Sequence, residues 1–216
     1  ARNTYVASQI PLALTVTTYP TITSGYPKST TATTTLGGKA NAITTRSVKV
    51  NGVAATWTAW TATWSATGVA LTPGINRVLV QAFDGSGNET ERTLFDVWYD
   101  DTTVATASGT LASNTTWTAA GGPYSVTANL IVPSGVTLTI SAGTTVYLAS
   151  GVNITVNNGG RILANGTDTA PVRFSRTPGT TTSWGGLVIN GFTTGASPLT
   201  EIRHEHLEFN GTTAIH

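Results

Sequence analysis

The chain has 216 residues, a hydrophobic fraction of 39%, a charged fraction of only 10% and a formal net charge of +1. That excludes the basic footprint of a nucleic-acid binder and the acid-rich composition of a disordered solvating tail. With no Cys there is neither a disulfide framework nor a thiolate site, and no stretch reaches the apolar length of a membrane span. The 45 Thr residues, together with Val, favour a pleated surface, and continuous helical periodicity is absent. The expectation is an all-β protein. There is no Met, not even at position 1, so the chain reads as a processed or excised portion of a longer product. Low charge and high Thr, Asn and Gly point to a secreted, cell-surface setting. Sequons stand at Asn88, Asn114, Asn153, Asn165 and Asn210, to be glycosylated only if the source modifies such motifs.

Taken in chain order, residues 1–11 form an N-terminal arm. Residues 12–101 read as short strands and hairpins. Asn51-Gly52 marks a tight hairpin. Pro73-Gly74 marks a turn before a strand whose Val78, Val80 and Ala82 alternate inward. Some seven strands in this span suggest a β-sandwich. Its motifs, Val50-Asn51-Gly52, Leu71-x-Pro73-Gly74-x-Asn76 and Ala82-x-Asp84-x-x-Gly87-Asn88, resemble those of bacterial immunoglobulin-like modules attached to glycan-active enzymes and adhesins. The resemblance implies a spacer or a binding accessory. Residues 102–126 are turn-rich and read as a linker and lid, anchored by Trp117 and Tyr124.

From residue 127 to 216 the chain superposes on itself. Leu138 falls on Ile162 and Ile140 on Ala164. Val146 and Leu148 fall on Val172 and Phe174, and Ile154 and Val156 on Leu187 and Ile189. Ile202 and His204 extend the Ile162 column, and Leu207 and Phe209 the Val172 column. Three short strands per unit, one per sheet, with alternate residues in the bore, define a parallel β-helix of about three coils. "WTAAGGPYSV…VPSGVTLTISAGTTV" and the later "WGGLVI" resemble the opening of right-handed β-helices in non-catalytic bacterial surface proteins of the pectate-lyase-like group. The expected fold is therefore an immunoglobulin-like sandwich followed by a short right-handed parallel β-helix.

Enzymes of that group require clustered carboxylates. The helical part holds Asp168, Glu201, Glu205 and Glu208, and the repeat puts Arg161 beside Glu201 and Arg173 beside Glu208, as ion pairs on an outer face. No catalytic residue, metal ligand or cofactor is assigned. In "RHEH", His204 reads as a stacked interior residue and His206 as a turn residue, not as a metal pair. Trp57, Trp60 and Trp64 are the candidates for carbohydrate stacking, weighed against packing within the sandwich. "DGSGNE" (84–89) reads as a hairpin turn in preference to a Ca²⁺ loop.

A helix of about three coils rises only about 14 Å and leaves an open last coil at His216. The chain then continues, receives a cap, or docks on a second subunit head to tail. Tyr5, Val6, Ile10 and Ile215 are the assembly candidates. The function expected is a non-enzymatic stalk, sheath or filament subunit at the cell surface. The alternative is a carbohydrate-binding accessory that contacts extracellular polysaccharide.

Overall fold

The computed structural model describes residues 11, 13–190, 199–203 and 205–207. The strands up to Tyr99 form two facing sheets. They are β1 (Thr15–Thr18), β2 (Ile22–Thr23), β3 (Tyr26–Ser29), β4 (Thr33–Lys39), β5 (Ser47–Val50), β6 (Val53–Ala54), β7 (Thr56–Thr58), β8 (Thr63–Ala70), β9 (Gly74–Phe83) and β10 (Glu89–Tyr99). One sheet has the order β1-β4-β8-β7, the other β2-β3-β10-β9-β5-β6. Every pairing is antiparallel except β3 with β10. The alternation places Val48, Val50, Val78, Val80 and Ala82 on the inner face, where they meet Leu36, Trp64 and Val97 in one apolar cluster. Asn51 and Gly52, both at positive φ, turn β5 into β6.

From Ala105 onward every pairing is parallel. The strands are β11 (Ala105–Thr110), β12 (Thr115–Trp117), β13 (Tyr124–Val132), β14 (Thr137–Ser141), β15 (Thr145–Leu148), β16 (Asn153–Val156), β17 (Arg161–Asn165), β18 (Val172–Ser175), β19 (Gly186–Ile189), β20 (Glu201–Arg203) and β21 (Glu205–Leu207). One face stacks β12-β14-β17-β20. A second stacks β15-β18-β21, and a third stacks β16-β19. Positive-φ glycines at 135, 143, 151 and 159 turn the chain from face to face, eight residues apart. The bore is apolar throughout, from Trp117 and Leu138 to Phe174 and Leu187.

One detail differs from the sequence expectation. β13 serves two faces as one unbroken strand, pairing with β15 through its first residues and with β16 through its last. Its middle, Thr127-Ala128-Asn129, has no glycine to turn it, whereas Gly151 separates β15 from β16. Residues 102–126, expected as linker and lid, contain β11 and β12. These lie on β13 and β14 as the outermost layer, where Trp117 stacks on Tyr124 with ring centroids 4.7 Å apart.

The register follows the expected columns in β14/β17 (Leu138–Ile162, Ile140–Ala164) and in β16/β19 (Ile154–Leu187, Val156–Ile189). Elsewhere it slips by two residues. Val146 pairs with Phe174 rather than Val172, Ile202 continues the Ala164 column rather than Ile162, and Leu207 lies on Phe174. A two-residue slip keeps every side chain on its own face, so apolar alternation cannot detect it.

Candidate functional site

The outward face of β15 and β18 does not meet solvent. It carries the sandwich. Thr145 stands opposite Arg173, and Tyr147 opposite Ser175. All four side chains belong to buried residues, and Arg173 is only 1% exposed. Above them lie the start of β9 and the end of β10. Asp96 of β10 accepts a hydrogen bond from Arg173 Nη2 at 2.7 Å through one carboxylate oxygen, and from Arg77 Nε at 3.2 Å through the other. The Ile75 amide donates to Thr145 Oγ1 at 2.9 Å. Gly74, at φ +102°, lies so close that a Cβ there would sit 2.6 Å from Thr145 Oγ1. On the far rim, a Cβ on Gly179 would come within 2.9 Å of Ser24 Oγ. The two halves are joined through a close-packed seam in which the buried Arg173 meets Asp96, whose side chain is 24% exposed.

The electrostatics of the seam follow from its burial. Burial pushes the Tyr147 phenol well above the ordinary tyrosine value, and the nearby Asp100 carboxylate adds to the effect. Asp100 itself is held below the usual carboxylate range by its hydrogen bond to Lys28, whose ammonium lies 2.7 Å away and also over the Trp98 ring. The Tyr147 hydroxyl lies beside Trp98 but makes no hydrogen bond of acceptable geometry.

This arrangement corrects the expected outer-face ion pairs. Arg173 is the seam's buried cation, not an exposed partner of Glu208, which lies outside the described residues. Glu201 stands opposite Leu163 and pairs with Arg203 of its own strand, while Arg161 Nε donates to the Leu199 carbonyl at 2.7 Å. His206 lies on β21 opposite Arg173 rather than in a turn. His204, Tyr5, Val6, Ile10 and Ile215 lie outside the described residues.

Asp168 and Glu205 come together with Arg77, Arg92, Leu94 and Pro171 around an open cleft of about 400 Å³ at the seam's edge. Its two cations are engaged elsewhere, Arg77 by Asp96 and Arg92 by Glu89. Among the described residues no group of three or more His, Asp or Glu is placed to hold a metal ion.

The three tryptophans do not form one platform. Trp57 and Trp64 are cross-strand neighbours on β7 and β8. Trp64 is 2% exposed, and its indole N–H donates to the Thr15 carbonyl at 3.1 Å. It is a core residue and is closed to a sugar ring. Trp57 packs half-buried against the same core. Trp60 stands alone on the turn between them, 88% exposed. Packing claimed the first two because alternate positions of a sandwich strand face inward. In the 84–89 turn, Asp84 accepts from the Ser86 and Asn88 amides and from the Asn88 side chain, which holds its carboxyl below the usual range.

Sequence reasoning missed the seam. Its one local signal is Arg173 between Val172 and Phe174, with Tyr147 on the coil before: bulky residues on a face that elsewhere carries Thr and Asn. No curated protein and no solved structure matches this chain. One family model does match, over residues 109–214, beginning inside β11. Its description is a pectate-lyase like beta helix domain, and the match supports placing this portion of the chain in the pectate-lyase-like superfamily.

Proposed function

We propose that this chain is a non-enzymatic structural module of an extracellular surface, a stalk, sheath or filament subunit in which an immunoglobulin-like sandwich is carried on a right-handed β-helix. The observation that carries the reading is the seam. Arg173, Asp96, Thr145 and Gly74 unite the two halves at close quarters, a geometry suited to transmitting position rather than to admitting substrate. The charges of the coil support it as well. Arg173 bonds Asp96 through Nη2 and Glu201 pairs with Arg203, so that of the coil's described carboxylates only Asp168 and Glu205 line an open cleft.

In this reading the subunits associate head to tail through the ends of the coil, and the protein works outside the cell. Electron micrographs and sedimentation velocity of the native material test it. Filaments or concentration-dependent growth are expected, and a monomer that stays monodisperse at its native concentration sinks the assembly reading. Release of new polysaccharide ends from a panel of acidic and neutral glycans would overturn the non-enzymatic reading.

A further inference from the structure

The seam holds most of the unbonded buried polar atoms of the described residues. Seven buried side-chain nitrogens and oxygens among those residues bond to no protein group, and four of them belong to three neighbouring side chains of the seam. They are Nε and Nη1 of Arg173, the Ser175 hydroxyl and the Tyr147 hydroxyl. Arg173 is 1% exposed, Ser175 0% and Tyr147 3%, so bulk water does not serve them. A buried donor left without a partner is costly, and native structures keep few of them.

The three side chains share one patch. Arg173 and Ser175 stand two apart on β18, so both point outward from the coil, and Tyr147 lies opposite Ser175 on β15. Arg173 reaches Asp96 through Nη2 at 2.7 Å, which leaves Nε and Nη1 over. The other Asp96 oxygen is taken by Arg77. Serine is the short member of the set. Stacked sheets lie about 10 Å apart, a gap that arginine and tyrosine reach well into and serine does not.

A group that satisfies this patch must accept from a guanidinium and exchange hydrogen bonds with two hydroxyls. Water does both, because it accepts and donates. An anion only accepts, and the charges of the seam do not call for one. Arg173 and Arg77 face Asp96, Lys28 faces Asp100, and Asp168 and Glu205 line the adjoining cleft.

We propose that ordered water occupies the seam above Ser175 and bridges the Arg173 guanidinium to the hydroxyls of Ser175 and Tyr147. The short serine between two long side chains leaves the room. A buried water makes about three hydrogen bonds, and this patch supplies that many from one neighbourhood. The water holds the guanidinium from one side while Nη2 meets Asp96 of the sandwich on the other. Such a bridge is nearly as favourable as a direct hydrogen bond. The joint is therefore partly wet, in keeping with contacts between domains, which are more polar than a core.

A crystal structure of the chain at a resolution that shows ordered solvent is the direct test. A density peak is expected within hydrogen-bond distance of Arg173 Nε or Nη1 and of the Ser175 or Tyr147 hydroxyl. No peak there, or direct bonds among the three side chains, overturns the proposal. So does an anomalous peak at that position after exchange of chloride for bromide, which assigns the site to an anion. In solution, magnetic relaxation dispersion counts the waters held longer than the protein takes to tumble. The count should fall by about one in Ser175→Val, which fills the space, and hold in Ser175→Ala, which does not. Equal counts in the native chain and in Ser175→Val also overturn it. Where Ser175→Val does not fold, the native crystal decides alone.

Discussion

Two outward faces of the same coil have opposite fates. On β14 and β17 burial alternates: Leu138, Ile140, Ile162 and Ala164 are buried in the bore, while Thr137, Thr139, Arg161 and Leu163 remain partly open. On β15 and β18 every residue is buried, inward and outward alike. The strands are alike in length and in parallel pairing. The difference lies in what covers them, water in one case and β9 and β10 of the sandwich in the other. A parallel strand covered on both sides loses its alternation, and a charge placed there must bring its counter-charge. Arg161 and Arg173 thus both lie on outward positions of the coil but differ in energetic weight.

The contrast can be broken most forcefully at the counter-charge. Asp96→Ala leaves Arg173 buried without its carboxylate and should destabilise the fold by about 2–3 kcal/mol in urea unfolding, below the cost of a fully buried pair because the Asp96 side chain is 24% exposed. Replacing the cation by a hydrophobe of similar length, Arg173→Met, should cost far less, and a loss as large as that of Asp96→Ala would refute a buried pair. Next comes the close approach at Gly74. Gly74→Ala places a methyl group against Thr145 at a positive φ, with an expected cost of about 1–3 kcal/mol. Part of that cost should be recovered in the double variant with Thr145→Ala, and strictly additive losses would show that the two residues do not meet.

Tyr147→Phe sharpens the comparison through pH. The phenol is raised in the fold, so the neutral form is the folded form. As pH climbs past the ordinary tyrosine value near 10, the unfolded chain ionises and the fold does not, and stability falls. Tyr147→Phe should shallow that alkaline loss while changing neutral-pH stability by about 1 kcal/mol or less, since the hydroxyl makes no hydrogen bond. An alkaline unfolding profile identical in both proteins would place Tyr147 in water. The smallest effect belongs to the open face. Arg161→Ala removes one hydrogen bond to the Leu199 carbonyl and should cost about 0.5–1 kcal/mol. A loss comparable to that of Asp96→Ala would mean that the two faces do not differ.

Most of the coil was legible. Leu138 on Ile162 follows from the apolar pattern because the turns before them, at Gly135 and Gly159, recur at matching positions, and Ile154 on Leu187 follows from the matching apolar alternation of their strands despite the longer 176–185 loop. Registration failed between β15 and β18. The turn before β15 is Ala142-Gly143-Thr144, whereas that before β18 runs from Gly166 to Pro171, and the pattern is blind to the resulting two-residue shift. Among the candidate residues, the tryptophan cluster was visible as a cluster, but its division into core (Trp64), flank (Trp57) and tip (Trp60) depended on which strand each occupied.

The amino-acid sequence by itself determined that this is a β protein, that its coil turns on spaced glycines, and that its bore is filled by alternate apolar residues. These are local matters of backbone freedom and side-chain parity, settled within a few residues. Only the tertiary structure decided which outer face is a surface. Asp96 and Arg173 are 77 positions apart in the chain, and no periodicity relates them. Their pairing follows from the docking of one sheet on another, where the energy comes from shape and from the removal of water.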